Sequence, residues 1–211
     1  MTERDQAADL RRDLRRSMLD RIPDDDPDLK GSRSYVDRIL DAYVDMRWST
    51  RALIDTSPSE ARLLFFAILS DVLFLLARSL SMVVSAPAEV QAALPTYVGA
   101  GVVLAFLVRT SLFYVVAIIA HIVAKPFGGE GSWYETRCAV FWAALVSAPI
   151  EIFAAFVTVL VVFLRPSLPF LDVDWLVTAP YFIGPVAFGF FVCAGVAEAE
   201  GFRYTYRVMA V

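Results

Sequence analysis

The sequence has few of the residues from which metal sites and disulfide frameworks are built. Its 211 residues include two cysteines and one histidine. Cys138 and Cys193 have no CxxC or CxxxC companion, so we interpret both as small buried hydrophobes. No GxSxG motif and no His/Cys cluster at metal-ligand spacing occurs either. These absences argue against an enzyme, and we predict no catalytic, cofactor-binding or metal-binding residue.

The chain also lacks an excess of basic residues. Lysine and arginine number 19 against 23 aspartates and glutamates, for a formal charge of -4, so nucleic-acid binding is not predicted. Apolar residues dominate instead. They make up 58% of the chain, with a mean hydropathy of +0.58, whereas soluble domains have roughly 45 to 50%. This composition predicts a membrane protein.

Four apolar stretches are long enough to cross a bilayer, at about residues 61–84, 97–123, 138–164 and 175–197. A hydrocarbon core of about 30 Å requires about 20 helical residues, because backbone groups find no water there. The third stretch is longer than this, so we expect it to tilt or to kink at Pro149. The expected fold class is all-α, a polytopic transmembrane helical bundle with cytoplasmic amphipathic N-terminal helices.

The region before the first span divides into two segments, followed by a membrane domain over residues 61–211. Residues 1–32 combine a charged helix with an acidic linker broken by proline and glycine. Residues 33–60 are predicted to form a juxtamembrane amphipathic helix. Trp48 lies there between Arg47 and Arg51, a combination that suits the lipid headgroup zone.

Two serines are predicted to cap spans. Ser57 precedes the first span and Ser132 the third, and each is followed three residues later by a glutamate. A serine and a glutamate at this spacing satisfy two backbone N–H groups at a helix start. We therefore expect the helix that contains the first span to begin at Pro58.

Basic residues outside the spans predict the orientation. Eleven precede the first span, and Lys125 and Arg137 flank the turn after the second. The tail adds Arg203 and Arg207, and the opposite side has only Arg165. Loops on the cytoplasmic side are enriched in Lys and Arg. We therefore expect a multi-pass inner-membrane protein with both termini in the cytoplasm.

The first three spans carry charges near mid-depth: Asp71, Arg109 and Glu151. An isolated charge there costs about 2.5–3.5 kcal/mol on insertion scales, so we expect Arg109 to bridge Asp71 or Glu151. Arg78 lies about 10 Å nearer the outer surface, where it either pairs from that side or snorkels outward. The network either locks the helices together or lines a path for protons or ions. Both interpretations stay open.

The turn between the second and third spans, HIVAKPFGGEGSWYETR, has a distinctive order of residues. Gly128, Gly129 and Gly131 permit positive backbone angles, which favour a tight reversal. A phosphate-binding loop is not indicated, because the GxxxxGK[ST] order is missing. His121 is either a proton relay or, as we favour, a hydrogen-bonding residue at the membrane interface.

This turn resembles the signature of the bacterial branch of the Yip (Ypt-interacting protein) domain family. In that family a histidine-containing span end precedes a Gly-Gly-x-Gly-Ser turn and a helix with a proline partway along. The matching residues here are His121, Gly128, Gly129, Gly131, Ser132 and Pro149. The segment AEAEGF, residues 197–202, is similar to the polar end of the family's next span, and the resemblance covers roughly residues 61–211.

The resemblance implies an integral membrane scaffold or adaptor and no enzymatic activity. Family members typically have five spans, whereas four are predicted here. The eukaryotic branch carries an Asp-Leu-Tyr-Gly-Pro motif linked to Rab GTPases, which this sequence lacks, so Rab binding does not carry over.

The leading functional hypothesis is a non-enzymatic inner-membrane scaffold. It would use its spans to assemble with itself or other membrane proteins in the lipid bilayer. Its cytoplasmic helices would recruit partners or lipid. The alternative is a small transporter or proton-coupled channel lined by Asp71, Arg109 and Glu151. A membrane enzyme ranks third.

Overall fold

The structure, a computed structural model, describes residues 35–85, 93–168 and 173–202. The charged helix and linker expected within residues 1–32 lie outside the described residues, as do Arg203 and Arg207. The chain divides into two units, Met1–Arg38 and Ile39–Val211. Of the first unit, the described part is the first turn of a helix that begins at Tyr35.

All regular elements in the described ranges are helical, which confirms the predicted fold class. The α-helices are α1 (Tyr35–Val44), α2 (Met46–Asp55), α3 (Glu60–Ser85), α4 (Leu94–Leu104), α5 (Thr110–Ala124), α6 (Trp133–Leu164), α7 (Asp174–Thr178) and α8 (Pro180–Ala199). A π-helical segment, Ala105–Arg109, joins α4 to α5, and a 3-10 turn, Lys125–Phe127, follows α5.

Within the described residues, four helical runs are long and apolar enough to cross a membrane. They are Glu60–Val84, Val98–Phe127, Trp133–Leu164 and Trp175–Ala199. Each overlaps one of the four predicted spans, so the chain is a multi-pass membrane protein. The starts of α3 and α6 and the ends of α5 and α8 meet at one end of the bundle, which we call the turn end because it carries the glycine turn.

Helix α6 is the central helix of the bundle. It packs against α3, α5 and α8 and, near the turn end, against α2. Every residue from Cys138 to Ala148 is buried. The helix continues through Pro149 to Leu164, so the long third stretch is one helix and is not split.

Hydroxyl groups satisfy backbone carbonyls just before Pro149. Ser70 Oγ donates to the Ala144 carbonyl at 2.9 Å, and Tyr43 Oη donates to the Val146 carbonyl at 2.7 Å. Pro149 has no N–H, so the carbonyl that loses its helical partner is that of Leu145. The two hydroxyls bond the carbonyls on either side of it and link other helices to this turn. Burial raises the pKa of Tyr43 to about 12. These bonds tie α1 and α3 to the middle of α6.

The segment expected to be one juxtamembrane helix is two helices. Asp45 has an extended backbone conformation between α1 and α2, and its side chain accepts a hydrogen bond from the Trp48 N–H. A carboxylate in this position satisfies a free N–H at the start of a helix. The break allows α2 to take its own direction.

Helix α2, which the sequence placed in the headgroup zone, is docked on the bundle. Trp142 Nε1 of α6 donates to Ser49 Oγ at 3.1 Å, and both residues are buried. Thr50 is also buried, close to Gly195 of α8, where a Cβ would lie 3.3 Å from Thr50 Oγ1. An amphipathic face looks the same in sequence whether lipid or protein covers it, and here protein covers its small polar residues.

The two predicted caps have different outcomes. Ser132 caps α6 as predicted: its Oγ accepts from the Glu135 N–H at 3.2 Å, and Glu135 Oε2 accepts from the Ser132 N–H at 2.7 Å. The prediction for Ser57 is wrong. Ser57 has a φ of 46°, so the chain turns before Pro58 and α3 begins at Glu60.

Candidate functional site

The Arg109 guanidinium lies between two buried carboxylates near the middle of the bundle. Its Nη1 is 3.1 Å from Asp71 Oδ1, and its Nη2 is 3.4 Å from Glu151 Oε1. Nη1 also donates to the Ser70 carbonyl at 3.2 Å. Asp71 is fully buried and Glu151 is 8% exposed. The cluster, which we call the Arg109 clamp, therefore joins the first three spans.

The π-helical segment ends at Arg109, and a regular α-helix follows it. A π turn contains an extra residue, which rotates the following helix face relative to the preceding one. Arg109, Phe113 and Ala117 then fall on one face at intervals of four residues, and Phe113 and Ala117 are buried. The guanidinium also lies 4.2 Å from the centre of the Phe74 ring, a cation–π distance.

The two carboxylates of the clamp differ in how they are satisfied. Asp71 uses both oxygens, because Thr110 Oγ1 donates to Oδ2 at 2.8 Å. Glu151 uses Oε1 only, and its buried Oε2 has no hydrogen-bond partner. Helix α8 packs directly on Glu151 at Gly184, where a Cβ would overlap Glu151 Cγ. Glu151 is therefore the member of the clamp with unused hydrogen-bonding capacity.

Arg78, the fourth predicted member, lies outside the clamp. Its Cζ is 4.5 Å from the centre of the Tyr181 ring of α8. Within the described part of the chain, no carboxylate lies within 4.0 Å of its guanidinium nitrogens. The structure thus brings Asp71, Arg109 and Glu151 together and places Arg78 on an aromatic ring.

A second polar cluster surrounds Glu200 at the turn end. Glu200 is 1% exposed. Its Oε1 accepts from Thr136 Oγ1 at 2.7 Å and lies 2.7 Å from His121 Nδ1. Lys125 Nζ is 3.7 Å from Oε2. The Glu200 cluster thereby joins the turn-end termini of α5, α6 and α8, and His121 is a hydrogen-bonding residue within it.

The glycine turn closes over this cluster. A Cβ at Gly131 would overlap the Ala199 carbonyl, and one at Gly129 would lie 2.7 Å from Glu200 Oε2. The Glu130 N–H donates to the Glu200 carbonyl at 3.0 Å. Of the three turn glycines, Gly128 has a positive φ, 86°. Gly129 and Gly131 therefore serve close approach of the backbone, and the expectation of positive angles holds for Gly128.

Ion pairs at the rim of the turn end attach α2 to the spans. Arg47 Nε is 3.0 Å from Glu198 Oε2, and Arg51 Nε is 3.3 Å from Glu198 Oε1. Arg51 Nη1 is also 3.6 Å from Glu135 Oε1. The basic side chains that the sequence suggested would face headgroups are thus paired with acidic residues of the bundle.

Glu200, Thr136 and Glu198 were not predicted as site residues. Polar residues at the end of an apolar stretch are common, and nothing in the spacing places Glu200 beside His121, which is 79 positions away. The family resemblance could have drawn attention to Glu198 and Glu200, because both lie in the AEAEGF segment. The turn motif and AEAEGF meet at the Glu200 cluster.

The chemistry open to these clusters is ion pairing, hydrogen bonding and proton exchange. Within residues 35–85, 93–168 and 173–202, no group of three or more His, Cys, Asp or Glu side chains is placed to hold a metal ion. No protein-family model, curated protein or solved structure matches the chain.

Proposed function

We propose that the protein is a non-enzymatic integral membrane scaffold or adaptor. The observation that carries the proposal is the pairing of interior charges across helices, above all Arg109 with Asp71 and Glu151. Removing one partner of a buried ion pair is strongly destabilising, so the pairing favours one arrangement of the three spans. A bundle clamped in this way offers other molecules a fixed surface.

The resemblance to the bacterial branch of the Yip family supports the same proposal. The two segments that carry it, the glycine turn and AEAEGF, are in contact through Glu130 and Glu200. A glycine turn that packs against the end of a neighbouring helix supports the family resemblance better than a glycine-rich sequence alone.

The proposed location is the inner membrane, with both termini in the cytoplasm. The turn end carries Arg47, Arg51, Lys125 and Arg137, as expected of a cytoplasmic face. Reporter fusions after residue 202 and within the loop near Arg165 test the orientation. Cytoplasmic-type activity at the loop near Arg165 would contradict it.

The proposed partners are other membrane proteins, a second copy of the chain, and lipid. Arg47 and Arg51 are engaged with Glu198, so the basic residues of α2 are occupied in holding it on the bundle. Recruitment of partners or lipid then falls to residues 1–32, which are rich in charge.

Affinity purification of the tagged full chain from its native membrane tests this function. We expect a specific partner, captured equally by the wild type and by Glu151→Gln, which keeps an oxygen toward Arg109. Removal of residues 1–32 should abolish capture. A wild type that captures nothing above a control membrane protein would contradict the scaffold, and capture that survives the truncation would contradict the recruiting role.

The alternative, a small transporter or proton-coupled channel, is favoured by one observation. Glu151 Oε2 is buried without a hydrogen-bond partner and lies beside a cavity. Intramembrane carboxylates with free capacity commonly mark proton and ion paths. Under this alternative Glu151→Gln abolishes flux in liposomes, whereas under the scaffold proposal there is no flux to lose.

A further inference from the structure

A cavity lies between α3, α6 and α8, in the half of the bundle remote from the turn end. Its volume is about 230 Å³. Most of its wall is small or apolar, and the two charged side chains that line it are Arg78 and Glu151. Asp71 and Arg109 do not line it, so the cavity is distinct from the inner part of the Arg109 clamp.

Glu151 offers this cavity an unsatisfied acceptor. Its Oε1 faces Arg109, while Oε2 is buried with no hydrogen-bond partner, on a residue that is 8% exposed. Buried polar atoms in native proteins nearly always have a partner. The atom that completes this site is therefore a donor, and a charged N–H is the strongest donor to a carboxylate.

Arg78 offers the same cavity a cation. The side chain is exposed, and its guanidinium rests on the Tyr181 ring. A guanidinium among lipid chains requires an anion or must snorkel to the headgroups. Arg78 is seven residues before the end of α3 at Ser85, about 10 Å along the helix. Its planar fork of donors suits phosphate.

We propose that this cavity binds a phosphoethanolamine group, with the phosphate on Arg78 and the ammonium on Glu151 Oε2. One ligand of this kind meets both requirements, because it carries an anion and a charged N–H donor a few bonds apart. The apolar wall accepts the carbon atoms between and beyond them. The source is either phosphatidylethanolamine of the surrounding membrane or free phosphoethanolamine. This binding site goes beyond the scaffold function and does not depend on it.

The two proposed contacts, phosphate with Arg78 and ammonium with Glu151, predict which lipid headgroup binds best when the acyl chains are identical. Phosphatidylcholine has a phosphate, but its quaternary ammonium has no N–H to donate. Phosphatidylglycerol has a phosphate and no ammonium. A site that hydrogen-bonds a ligand N–H discriminates strongly against analogues that lack it. Phosphatidylethanolamine should therefore be retained at least about tenfold better than either of the others.

Native mass spectrometry of the full chain, with the three lipids at equal concentration, measures this preference. Arg78→Met should lower retention of all three lipids, because it removes the phosphate contact. Glu151→Gln should remove the preference for phosphatidylethanolamine over phosphatidylcholine. The matched control is Glu198→Gln, which neutralises a carboxylate at the turn end, outside both the clamp and the cavity, and should leave the preference unchanged.

Calorimetry on delipidated protein with free phosphoethanolamine distinguishes the two sources. Binding that requires Arg78 and Glu151, without lipid preference, assigns the soluble ligand. Equal retention of the three lipids together with no binding of free phosphoethanolamine overturns the proposal, as does a preference that survives both variants. If Glu151→Gln fails to fold, Arg78→Met decides, because Arg78 is exposed and outside the clamp. Partner capture is measured separately, so this failure would leave the scaffold proposal standing.

Discussion

The two halves of α6 have opposite surroundings. From Cys138 to Ala148 the helix is buried on all sides, whereas beyond Pro149 it exposes Phe153 by 66% and Phe163 by 79%. Helices α1 and α2 add to the enclosure of the first half, through the Tyr43–Val146 and Ser49–Trp142 hydrogen bonds. The half near the turn end is thus enclosed by protein, and the other half shares its surface with lipid.

The fold depends on close packing between helices mainly in the enclosed half. The enclosed half contains the glycine-to-backbone contacts, the buried Trp142–Ser49 bond and the Glu200 cluster. The Arg109 clamp lies where the two halves meet, and the cavity lies beyond it. Substitutions in the enclosed half should therefore cost more stability than similar substitutions on lipid-facing surfaces.

The largest effect is expected from Arg109→Met. It leaves Asp71 and Glu151 buried without their shared cation, which costs about 3–5 kcal/mol for a broken buried pair. The thermal unfolding midpoint and the yield of monodisperse protein in detergent should both fall sharply. The triple variant Asp71→Asn, Arg109→Met, Glu151→Gln should recover much of the loss. An Arg109→Met protein as stable as the wild type would show that the clamp does not hold the helices.

Gly131→Ala should have the next largest effect. The new methyl group overlaps the Ala199 carbonyl, a backbone atom that cannot move aside easily, and overpacking of this kind costs about 1–3 kcal/mol. The same unfolding measurement tests it. Gly189→Ala on α8 is the control, because nothing lies within 4 Å of a Cβ there and no loss is expected. Equal losses in both would remove the distinction between enclosed and open surroundings.

Substitution of one buried and one exposed serine should show a smaller difference between the enclosed and the exposed surroundings. Ser49→Ala removes the acceptor of the buried Trp142 N–H, and an unsatisfied buried donor costs about 1–3 kcal/mol. Ser111→Ala, on the exposed face of α5, removes a hydroxyl that bonds within its own helix, to the Leu107 carbonyl. Its unfolding midpoint should stay close to that of the wild type. If Ser111→Ala is the more harmful change, α2 is not docked as described.

The smallest effect is expected from Glu198→Gln at the rim. The change weakens its ion pairs with Arg47 and Arg51, which are partly exposed and worth less than about 1 kcal/mol each. Unfolding at low and high salt should show a small difference that disappears as salt screens the charges. A large, salt-independent loss would mean that these pairs are effectively buried.

The Arg109 clamp could be predicted from sequence because a single physical constraint governs it. Asp71, Arg109 and Glu151 each interrupt an apolar stretch, and hydrocarbon leaves such charges few partners except one another. The spans were predictable for the same reason. The sequence alone did not reveal the π turn that ends at Arg109.

The Glu200 cluster and the docking of α2 required the structure. His121 and Glu200 lie in different spans, and a polar residue at a span end carries no signal of its partner. The face of α2 with Ser49 and Thr50 is compatible with either headgroups or protein, and contact with Trp142 and Gly195 decides between them. The turn at Ser57 could not be predicted either, because the capping pattern does not indicate the left-handed backbone conformation before Pro58.

Proton flux in proteoliposomes tests most directly the central claim, that the interior charges are structural and do not line a conduction path. Purified wild type and Glu151→Gln are reconstituted with a pH-sensitive dye inside, and a pH gradient is imposed. The account predicts that both preparations change internal pH no faster than empty liposomes. Flux through the wild type that the folded Glu151→Gln protein lacks would contradict it and assign Glu151 to a conduction path.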